Sequence, residues 1–263
     1  MQAIDEFSAR LRQREGGGAI AAWVGTPDPL LVSHLAQEAF DAVVLDMQHG
    51  MWDLPSFAAA TATSRLAGKP IIGRIPVGDF ASASRLLDAG ASGIIAPMIN
   101  SVADAKALVA ATKYPPLGER SWGPSLALNH TGLSASDYLK SANGLIVTIA
   151  MIETRAAREA MDDILGVEGI DGIFIGPSDL SIALSNGASL SPDSAEIDRE
   201  LHHAVARAKA HGKIACAFAA DGARAGEMLK FGFHLTIAGA ESSQLRAGAR
   251  AAIATARRGA TGD

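Results

Sequence analysis

Three polar residues follow apolar segments in positions that suit catalysis. Asp46 comes directly after the run Ala-Val-Val-Leu, His49 lies three residues further on, and Arg74 ends the run Ile-Ile-Gly-Arg. A carboxylate beside an imidazole orients the ring and raises its basicity, as a general base requires. The planar donors of Arg74 would suit a substrate carboxylate. The structural alternatives are a chance pair on a solvated loop for the first two residues, and an ion pair of Arg74 with Asp88 or Glu153.

Two further carboxylates, Glu153 and Asp179, follow the apolar runs 145–152 and 172–175. If these runs are neighbouring parallel strands, their ends lie about 4.8 Å apart. Two carboxylates at that spacing repel each other unless a cation lies between them, and a hard divalent cation with open water positions fits. The alternative is that one of the two carboxylates only caps the next helix. The segment 176–178 presents backbone N–H groups at a helix start, which suits a bound carboxylate.

Eight short apolar runs alternate with segments that have helical spacing. The runs are apolar throughout rather than alternating, as expected for parallel strands covered on both faces. They are 19–24, 42–47, 70–75, 93–98, 145–152, 172–175, 213–218 and 234–238. Eight such repeats predict a (β/α)₈ barrel, in which catalytic groups lie at the carboxyl ends of the strands. A doubly wound open sheet is the alternative, but no G-x-G-x-x-G motif follows the first run.

The predicted helices lie between these strands, and several begin at a capping residue and end at glycine. They are 33–40, 54–67, 79–89, 101–112, 155–165, 194–211, 222–231 and 241–257, with an extra helix at 1–14 before the first strand. The connections 114–143 and 178–193 are predicted as long loops, which in a compact domain are usually functional. Since no linker interrupts the pattern, residues 1–263 are interpreted as one domain.

The composition argues against several classes of protein and of binding site. Of 263 residues, 48% are hydrophobic and 19% charged, which permits a large core and excludes disorder for most of the chain. A net charge of −5 without a basic run argues against nucleic acid and anionic membranes as partners. The single cysteine, Cys216, excludes an internal disulfide and a cysteine-based zinc site. The first 18 residues lack an apolar signal core, so the cytoplasm is the expected location.

The segment Phe40–Gly50 resembles the second-strand signature of the HpcH/HpaI aldolases. These are metal-dependent class II pyruvate aldolases, and they include 4-hydroxy-2-oxoheptanedioate and 2-keto-3-deoxy sugar acid aldolases. Further matches follow in order and cover nearly the whole chain. They are residues 73–76, 87–91, 96–98, 113–124, 151–154 and 169–181.

The resemblance implies a TIM barrel of the phosphoenolpyruvate/pyruvate-domain type and a role for each matching residue. Glu153 and Asp179 correspond to the protein ligands of a Mg²⁺, Mn²⁺ or Co²⁺ ion, which pyruvate would chelate through its carboxylate and keto oxygen. Arg74 would hold the keto oxygen and stabilise the enolate. His49, paired with Asp46, would be the base and act through a water molecule.

Further roles follow from the same resemblance. The backbone of Gly176, Pro177 and Ser178 would bind the pyruvate carboxylate, Trp23 would line the pocket, and Asp88 would complete the site, reaching toward a neighbouring subunit. Family members are hexamers, trimers of dimers with exchanged C-terminal helices. We therefore expect a homo-oligomer in which 241–257 docks on a partner subunit.

Three segments depart from the family pattern. Gln48 replaces a frequent glutamate, Met151 replaces a frequent glutamine, and 239–243 differs from the usual end of strand eight. The first two departures leave the acceptor preference open.

The expected reaction is reversible aldol cleavage of a 4-hydroxy-2-oxo acid to pyruvate, or a relative such as hydroxypyruvate, and an aldehyde. One alternative is another enolate-forming lyase, either a citramalyl- or malyl-CoA-type lyase or an oxaloacetate decarboxylase. A CoA-thioester lyase would need more basic residues at the pocket mouth than Lys113, Arg120 and Lys140, which the long loop offers. Another alternative is a binding protein that senses a 2-oxo acid.

Overall fold

Eight parallel strands close into a barrel in the computed structural model, which describes residues 6–261. Each strand pairs in parallel with the next one along the chain, and β8 pairs with β1. The strands are β1 (Ala19–Val24), β2 (Ala42–Asp46), β3 (Ile71–Arg74), β4 (Gly93–Ala96), β5 (Val147–Ile152), β6 (Gly172–Ile175), β7 (Ile214–Ala219) and β8 (Leu235–Ala240). The predicted barrel is confirmed, and the open sheet is excluded.

Thirteen α-helices surround the barrel within the described residues. They are α1 (Phe7–Gln13), α2 (Pro29–Gln37), α3 (Leu54–Leu66), α4 (Phe80–Asp88), α5 (Val102–Thr112), α6 (Ser125–Thr131), α7 (Ala135–Leu145), α8 (Arg155–Glu159), α9 (Met161–Leu165), α10 (Pro177–Leu184), α11 (Ala195–Ala210), α12 (Gly222–Phe231) and α13 (Glu241–Thr261). No helix in this part of the chain is long and apolar enough to cross a membrane.

The predicted helix between β1 and β2 begins later in the sequence than the observed one. The prediction placed it at 33–40, whereas α2 begins at Pro29 and ends at Gln37. Asp28 caps it by accepting a hydrogen bond from the backbone N–H of Leu30 at 2.8 Å. Proline is well tolerated at the first helical position, because the N–H that it lacks would have no partner there.

The two predicted long loops are partly helical, which corrects that prediction. The segment 114–143 contains α6 and most of α7, separated by Gly132 in a left-handed conformation with φ 69°. Ser134 caps α7 by accepting from the backbone N–H of Asp137 at 3.1 Å. Tyr138 packs with Tyr114 in a small core of its own, so the segment is an ordered extension. In the second segment, 178–193, α10 occupies the first half.

The barrel is filled by the inward side chains of alternate strand residues. Trp23, Val44 and Phe174 belong to this inner core, which Phe7 and Leu11 of α1 join. The extra N-terminal helix therefore packs on the barrel, although residues 1–5 of the predicted helix 1–14 lie outside the described part. An outer core between strands and helices encloses the barrel.

A buried ion pair fixes the amino-terminal end of the barrel. Lys113 has 1% of its side chain exposed and donates to Oδ2 of Asp171 at 2.7 Å. Burial lowers the pKa of Lys113, and the charge of Asp171 opposes that shift. Arg12 of α1 donates to the other oxygen of Asp171 at 2.8 Å. Lys113 is thus a structural residue and does not lie at the mouth of the pocket described below.

Candidate active site

A cavity of about 240 Å³ lies at the carboxyl end of the barrel strands. It brings together residues from six strands or the loops that follow them, because parallel strands of a closed barrel all end at one face. The predicted site residues that line it are Trp23, His49, Arg74, Gly176, Pro177, Ser178 and Asp179.

Asp46 and Arg74 form a buried pair at the base of this cavity. The two residues are register partners on β2 and β3. Arg74 donates from Nε to Oδ1 at 2.8 Å and from Nη2 to Oδ2 at 2.6 Å. Its guanidinium lies 4.6 Å from the ring centroid of Trp23, whose Nε1–H reaches Asp46 at 3.3 Å. The structural alternative for Arg74, an ion pair with an acidic residue, is therefore realised with Asp46 and not with Asp88 or Glu153.

The contact between Asp46 and His49 also differs from the prediction. Oδ1 of Asp46 accepts from the backbone N–H groups of Gln48 at 2.9 Å and His49 at 3.3 Å. Among the described residues, no hydrogen bond joins the carboxylate to the His49 ring. Asp46 thus holds the loop that carries the histidine rather than orienting the imidazole itself.

Asp46 stays ionised despite its burial. Burial by itself raises the pKa of its carboxyl, but the hydrogen bonds and charge of Arg74, with the two backbone donors, lower it below the ordinary 3.8. Since the folded pKa lies below the unfolded one, the stabilisation from this charge is fully present above the unfolded value. It is lost as the pH falls through the folded value.

Replacing Asp46 with asparagine should destabilise the fold. The change leaves the Arg74 charge buried, at 7% exposure, without a counter-charge. Removing one partner of a buried pair typically costs about 3–5 kcal/mol. Urea unfolding at neutral pH measures the loss, and the deficit relative to the parent protein should shrink at acid pH as Asp46 becomes protonated. An equal stability of the two proteins at neutral pH would contradict the role of this pair.

Glu153 supplies a buried carboxylate oxygen that has no hydrogen-bond partner. The residue is 1% exposed and directly follows β5. Oε1 accepts from the backbone N–H of Met98 at 2.9 Å, whereas Oε2 is buried without a partner. Burial raises the pKa of Glu153; the Met98 N–H opposes this, and the charge of Asp179 adds to the increase. Such an oxygen is costly to bury unless a ligand satisfies it.

The backbone around Glu153 leaves room for this buried oxygen. A Cβ atom on Gly176 would lie 2.7 Å from Oε2, so only glycine fits there without displacing the carboxylate. Met98 has φ 53°, a left-handed conformation that is uncommon for a residue with a side chain. Strained backbone of this kind is often found at functional sites.

Glu153 and Asp179 together fit a hard divalent cation. They offer carboxylate oxygens, one of them unsatisfied, as such ions prefer. No third His, Cys, Asp or Glu joins them in a cluster within residues 6–261. A cation held here would therefore keep coordination positions for water and for substrate oxygens.

The segment after β6 presents the start of α10 to the cavity. Gly176 is the N-cap residue and Pro177 is the first helical residue. The free N–H groups of a first helical turn attract a carboxylate. Pro177 has no N–H, so Gly176 and Ser178 are the residues of 176–178 whose backbone can donate.

Asp88 is not brought to the cavity within one chain. It ends α4 and accepts from Nη2 of Arg120 at 2.6 Å. The Arg120 side chain is fully buried and lies 4.6 Å from the ring centroid of Tyr114. Asp88 instead lines a groove of about 400 Å³ that Leu54 and Leu126 also line. Arg120, like Lys113, is therefore absent from the pocket mouth.

One wall of the cavity is apolar and was not predicted from the sequence. Phe174, Phe218 and Met151 line it beside Trp23. The ring centroid of Trp23 lies 5.8 Å from that of Phe174 and 5.4 Å from that of Phe218. These residues could have been found from the direction of their side chains. Successive side chains of a strand point alternately into and out of the barrel, and inward ones near the carboxyl end face the site.

A larger cleft, of about 990 Å³, lies on the outside of the barrel near its amino-terminal end. Its residues Arg207 and His211 both contact Asp162, at 2.6 Å and 3.1 Å. These groups satisfy one another on exposed helices, and neither Glu153 nor Asp179 reaches them. The smaller cavity is the one that collects the chemically competent groups.

Known proteins resemble this chain over nearly its whole length. Hydroxypyruvate/pyruvate aldolase of Rhizorhabdus wittichii is 41% identical over 243 residues, which is 92% of this chain and 96% of the relative. 2-Keto-3-deoxy-L-rhamnonate aldolase of Salmonella gallinarum is 33% identical over 87% of this chain and 85% of the relative. The crystal structure of an HpcH/HpaI aldolase from Desulfitobacterium hafniense matches with a TM-score of 0.83 at 26% identity, covering 92% of this chain and 93% of that one.

The family model for HpcH/HpaI aldolase/citrate lyase matches residues 19–247. This match spans all eight strands and every residue that lines the cavity. Together with the identity of the relatives, it confirms the resemblance read from the motifs: the chain belongs to the HpcH/HpaI aldolase/citrate lyase family.

Proposed function

We propose that this protein is a metal-dependent class II aldolase. It would cleave a 4-hydroxy-2-oxo acid reversibly into pyruvate, or a related 2-oxo acid such as hydroxypyruvate, and an aldehyde. The observation that carries the proposal is the unpartnered oxygen of Glu153, which lies against Gly176 at the wall of the cavity that Asp179, Arg74 and His49 line. The names of the relatives support the choice of a 2-oxo acid as the donor.

Glu153 and Asp179 would hold the ion, for which Mg²⁺, Mn²⁺ and Co²⁺ are all chemically suitable. A bound divalent cation supplies Lewis-acid stabilisation of negative charge on a substrate oxygen. Everything else in the reaction falls to the side chains and backbone of this chain.

The donor substrate is oriented by hydrogen-bond donors at two places, the backbone at the start of α10 and the side chain of Arg74. The first turn of α10, at Gly176 and Ser178, binds the carboxylate of the 2-oxo acid. Arg74 donates to the keto oxygen, where negative charge grows as the enolate forms. Because Asp46 holds two of the guanidinium donors, Arg74 is already oriented before the substrate arrives, and little reorganisation is needed.

His49 is the group placed to move the proton. In the synthetic direction it removes a proton from C3 of the 2-oxo acid, directly or through one water molecule. The resulting enolate carbon attacks the aldehyde carbonyl to form the new C–C bond, and the aldehyde oxygen takes up a proton. Trp23, Phe174 and Phe218 exclude bulk water from this side of the cavity, which strengthens the polar contacts.

Aldol addition tests the proposal. Pyruvate or hydroxypyruvate is incubated with a small uncharged aldehyde, the protein and Mn²⁺ or Mg²⁺, and NMR follows the 4-hydroxy-2-oxo acid. We expect product that depends on protein and metal. Decarboxylation of oxaloacetate without any C–C bond formation would contradict the proposal and favour a decarboxylase. The burial of Lys113 and Arg120 away from the cavity argues against a CoA-thioester substrate.

His49→Ala should slow proton exchange at C3 of pyruvate by about 10²–10⁴-fold, the usual contribution of a positioned acid or base. Metal affinity should stay unchanged, because the proposed ligands lie elsewhere, Glu153 directly after β5 and Asp179 in α10. The measurement is deuterium incorporation by NMR at saturating pyruvate. His202→Ala is a suitable control, since that ring stacks on Phe231 at a centroid distance of 4.1 Å, outside the cavity lining. Exchange at the parent rate in His49→Ala would mean that another group is the base.

The assembly and location are also inferred. We propose a homo-oligomer, a hexamer built as a trimer of dimers, because α13 has an exposed surface from residue 245 to 260 that includes the apolar Leu245 and Ile253. Such a helix is stabilised when a second copy covers its apolar positions. Small molecules, rather than nucleic acid or membranes, remain the expected partners, and the cytoplasmic location and the single domain over 1–263 stay predictions.

A further inference from the structure

Glu241 is a nearly buried carboxylate that does not line the cavity but holds a loop beside it. It is the first residue of α13, directly after β8, and is 9% exposed. Its Oε1 accepts three hydrogen bonds from the turn after β1: from the backbone N–H groups of Gly25 at 3.1 Å and Thr26 at 3.0 Å, and from the Thr26 hydroxyl at 2.9 Å. Hydrogen bonds to a charged acceptor are stronger than neutral ones, so one side chain fixes this turn.

The same turn contacts the loop that carries His49. The carbonyl of Gly25 accepts from the backbone N–H of Met51 at 2.9 Å, and the carbonyl of Val24 accepts from Nε1 of Trp52 at 2.9 Å. The two backbones approach so closely that a Cβ on Gly50 would lie 2.7 Å from Cα of Gly25. A shift of the turn after β1 therefore moves the segment 50–52.

We propose that Glu241 is a positioning residue for His49. Two contacts hold the loop that carries His49. Asp46 accepts a hydrogen bond from the backbone N–H of His49, and Gly25, in the turn after β1, accepts one from the backbone N–H of Met51. Glu241 fixes the second of these supports. A general base must stay within hydrogen-bond reach of the proton that it removes, and a misplacement of about 1 Å can cost 10²-fold in rate.

The inference rests on the proposed function, because positioning matters only if His49 moves the proton. A positioning role predicts different effects on two parts of the site, the proposed base His49 and the proposed metal ligands Glu153 and Asp179. Glu153 and Asp179 follow β5 and β6, and no hydrogen bond joins either of them to Glu241 within residues 6–261. Loss of the Glu241 contact should therefore reduce the rate of proton removal and leave metal binding intact.

The first experiment compares three variants in the C3 exchange assay with Mn²⁺. Glu241→Ala should lower kcat for exchange at least about tenfold, with KM for pyruvate and Mn²⁺ affinity within about twofold of the parent. Glu241→Gln keeps an acceptor oxygen at the same distance and should restore most of the rate. Asp221→Ala is the matched control: it removes another carboxylate cap at the same face, which accepts from the backbone N–H of Arg224 at 2.9 Å, and should leave exchange unchanged.

The second experiment is a double-mutant comparison. Adding Glu241→Ala to His49→Ala should have no further effect on the residual exchange, because a residue that acts only through His49 has nothing left to position. A further tenfold loss in that background would overturn the inference. So would a parent-like rate in Glu241→Ala, or a loss of Mn²⁺ affinity that parallels the loss of rate.

If Glu241→Ala does not give folded protein, Glu241→Asp takes its place. Its side chain is one methylene shorter and cannot reach all three donors, so the same separation of kcat from metal affinity is expected, and a parent-like kcat would overturn the inference. The measurements distinguish a failure of the proposed function from a failure of the positioning role. A parent protein without exchange contradicts the proposed function itself, whereas a normal parent with an unaffected Glu241→Ala contradicts only the positioning role.

Discussion

Glu153→Gln and Asp179→Asn should each abolish metal-dependent proton exchange while leaving a folded protein. Each change removes one of the two proposed charged ligands and keeps the side-chain volume. The expected loss is about 10³-fold or more, because a bound cation contributes several kcal/mol to the stabilisation of the developing oxyanion. Calorimetry with Mn²⁺ measures the accompanying loss of affinity, and NMR measures the exchange rate.

Glu153→Gln should increase the stability of the metal-free protein, although it abolishes the proton exchange. In the metal-free protein, Glu153 carries a buried oxygen without a partner, and burial raises the pKa of its carboxyl. Removing that charge should stabilise the metal-free fold by about 1–2 kcal/mol. Asp163→Asn, an exposed carboxylate on α9, is the control and should change neither quantity. A Glu153→Gln protein with normal exchange would refute the metal site, and a destabilised one would refute the argument from burial.

Arg74→Lys should reduce the exchange rate by about 10²–10³-fold, the usual cost of losing one oxyanion donor. Lysine keeps the charge, but it cannot reproduce the two parallel bonds to Asp46 and it loses the stacking on Trp23. The ammonium would then compete between Asp46 and the substrate. Steady-state exchange at several pyruvate concentrations separates the effect on kcat from that on KM.

The chain offers a close control for this substitution. Arg158 makes a similar two-point contact with Glu200, at 3.0 Å and 3.2 Å, on the outer surface. Arg158→Lys should leave exchange unchanged and cost less than about 1 kcal/mol in stability, as exposed pairs usually do. If Arg74→Lys were as harmless as Arg158→Lys, Arg74 would have no role at the enolate.

The strands were predictable because they are nearly continuous apolar runs. A parallel strand buried on both faces leaves that pattern, and every observed strand end lies within two residues of the prediction. The helices α6 and α7 were missed for the opposite reason. The segment 114–143 is rich in proline and glycine, and its helices are stabilised by caps such as Ser134 and by packing around Tyr138, which depend on tertiary structure.

The site was predictable in its members but not in its internal contacts. Strand ends identified His49, Arg74, Glu153 and Asp179, because a barrel collects these ends at one face. Sequence spacing paired Asp46 with the nearer His49, whereas the sheet register places it opposite Arg74. The Met98 backbone bond to Glu153 depends on a left-handed residue, for which the side chain gives no signal. Contacts between strands can be predicted only when the register of the sheet is known, and contacts of loops only when their backbone conformation is known.

Deuterium incorporation at C3 of pyruvate tests whether this protein forms an enolate only when a divalent metal is present, as expected if Glu153 and Asp179 hold the metal. The parent protein is incubated in D₂O with pyruvate and Mn²⁺ or Mg²⁺, and again with EDTA, without any aldehyde. The expected result is exchange that requires the protein, stops on chelation and returns when excess metal is added. Exchange that continues at the same rate in EDTA, or no exchange with any divalent metal, would contradict it.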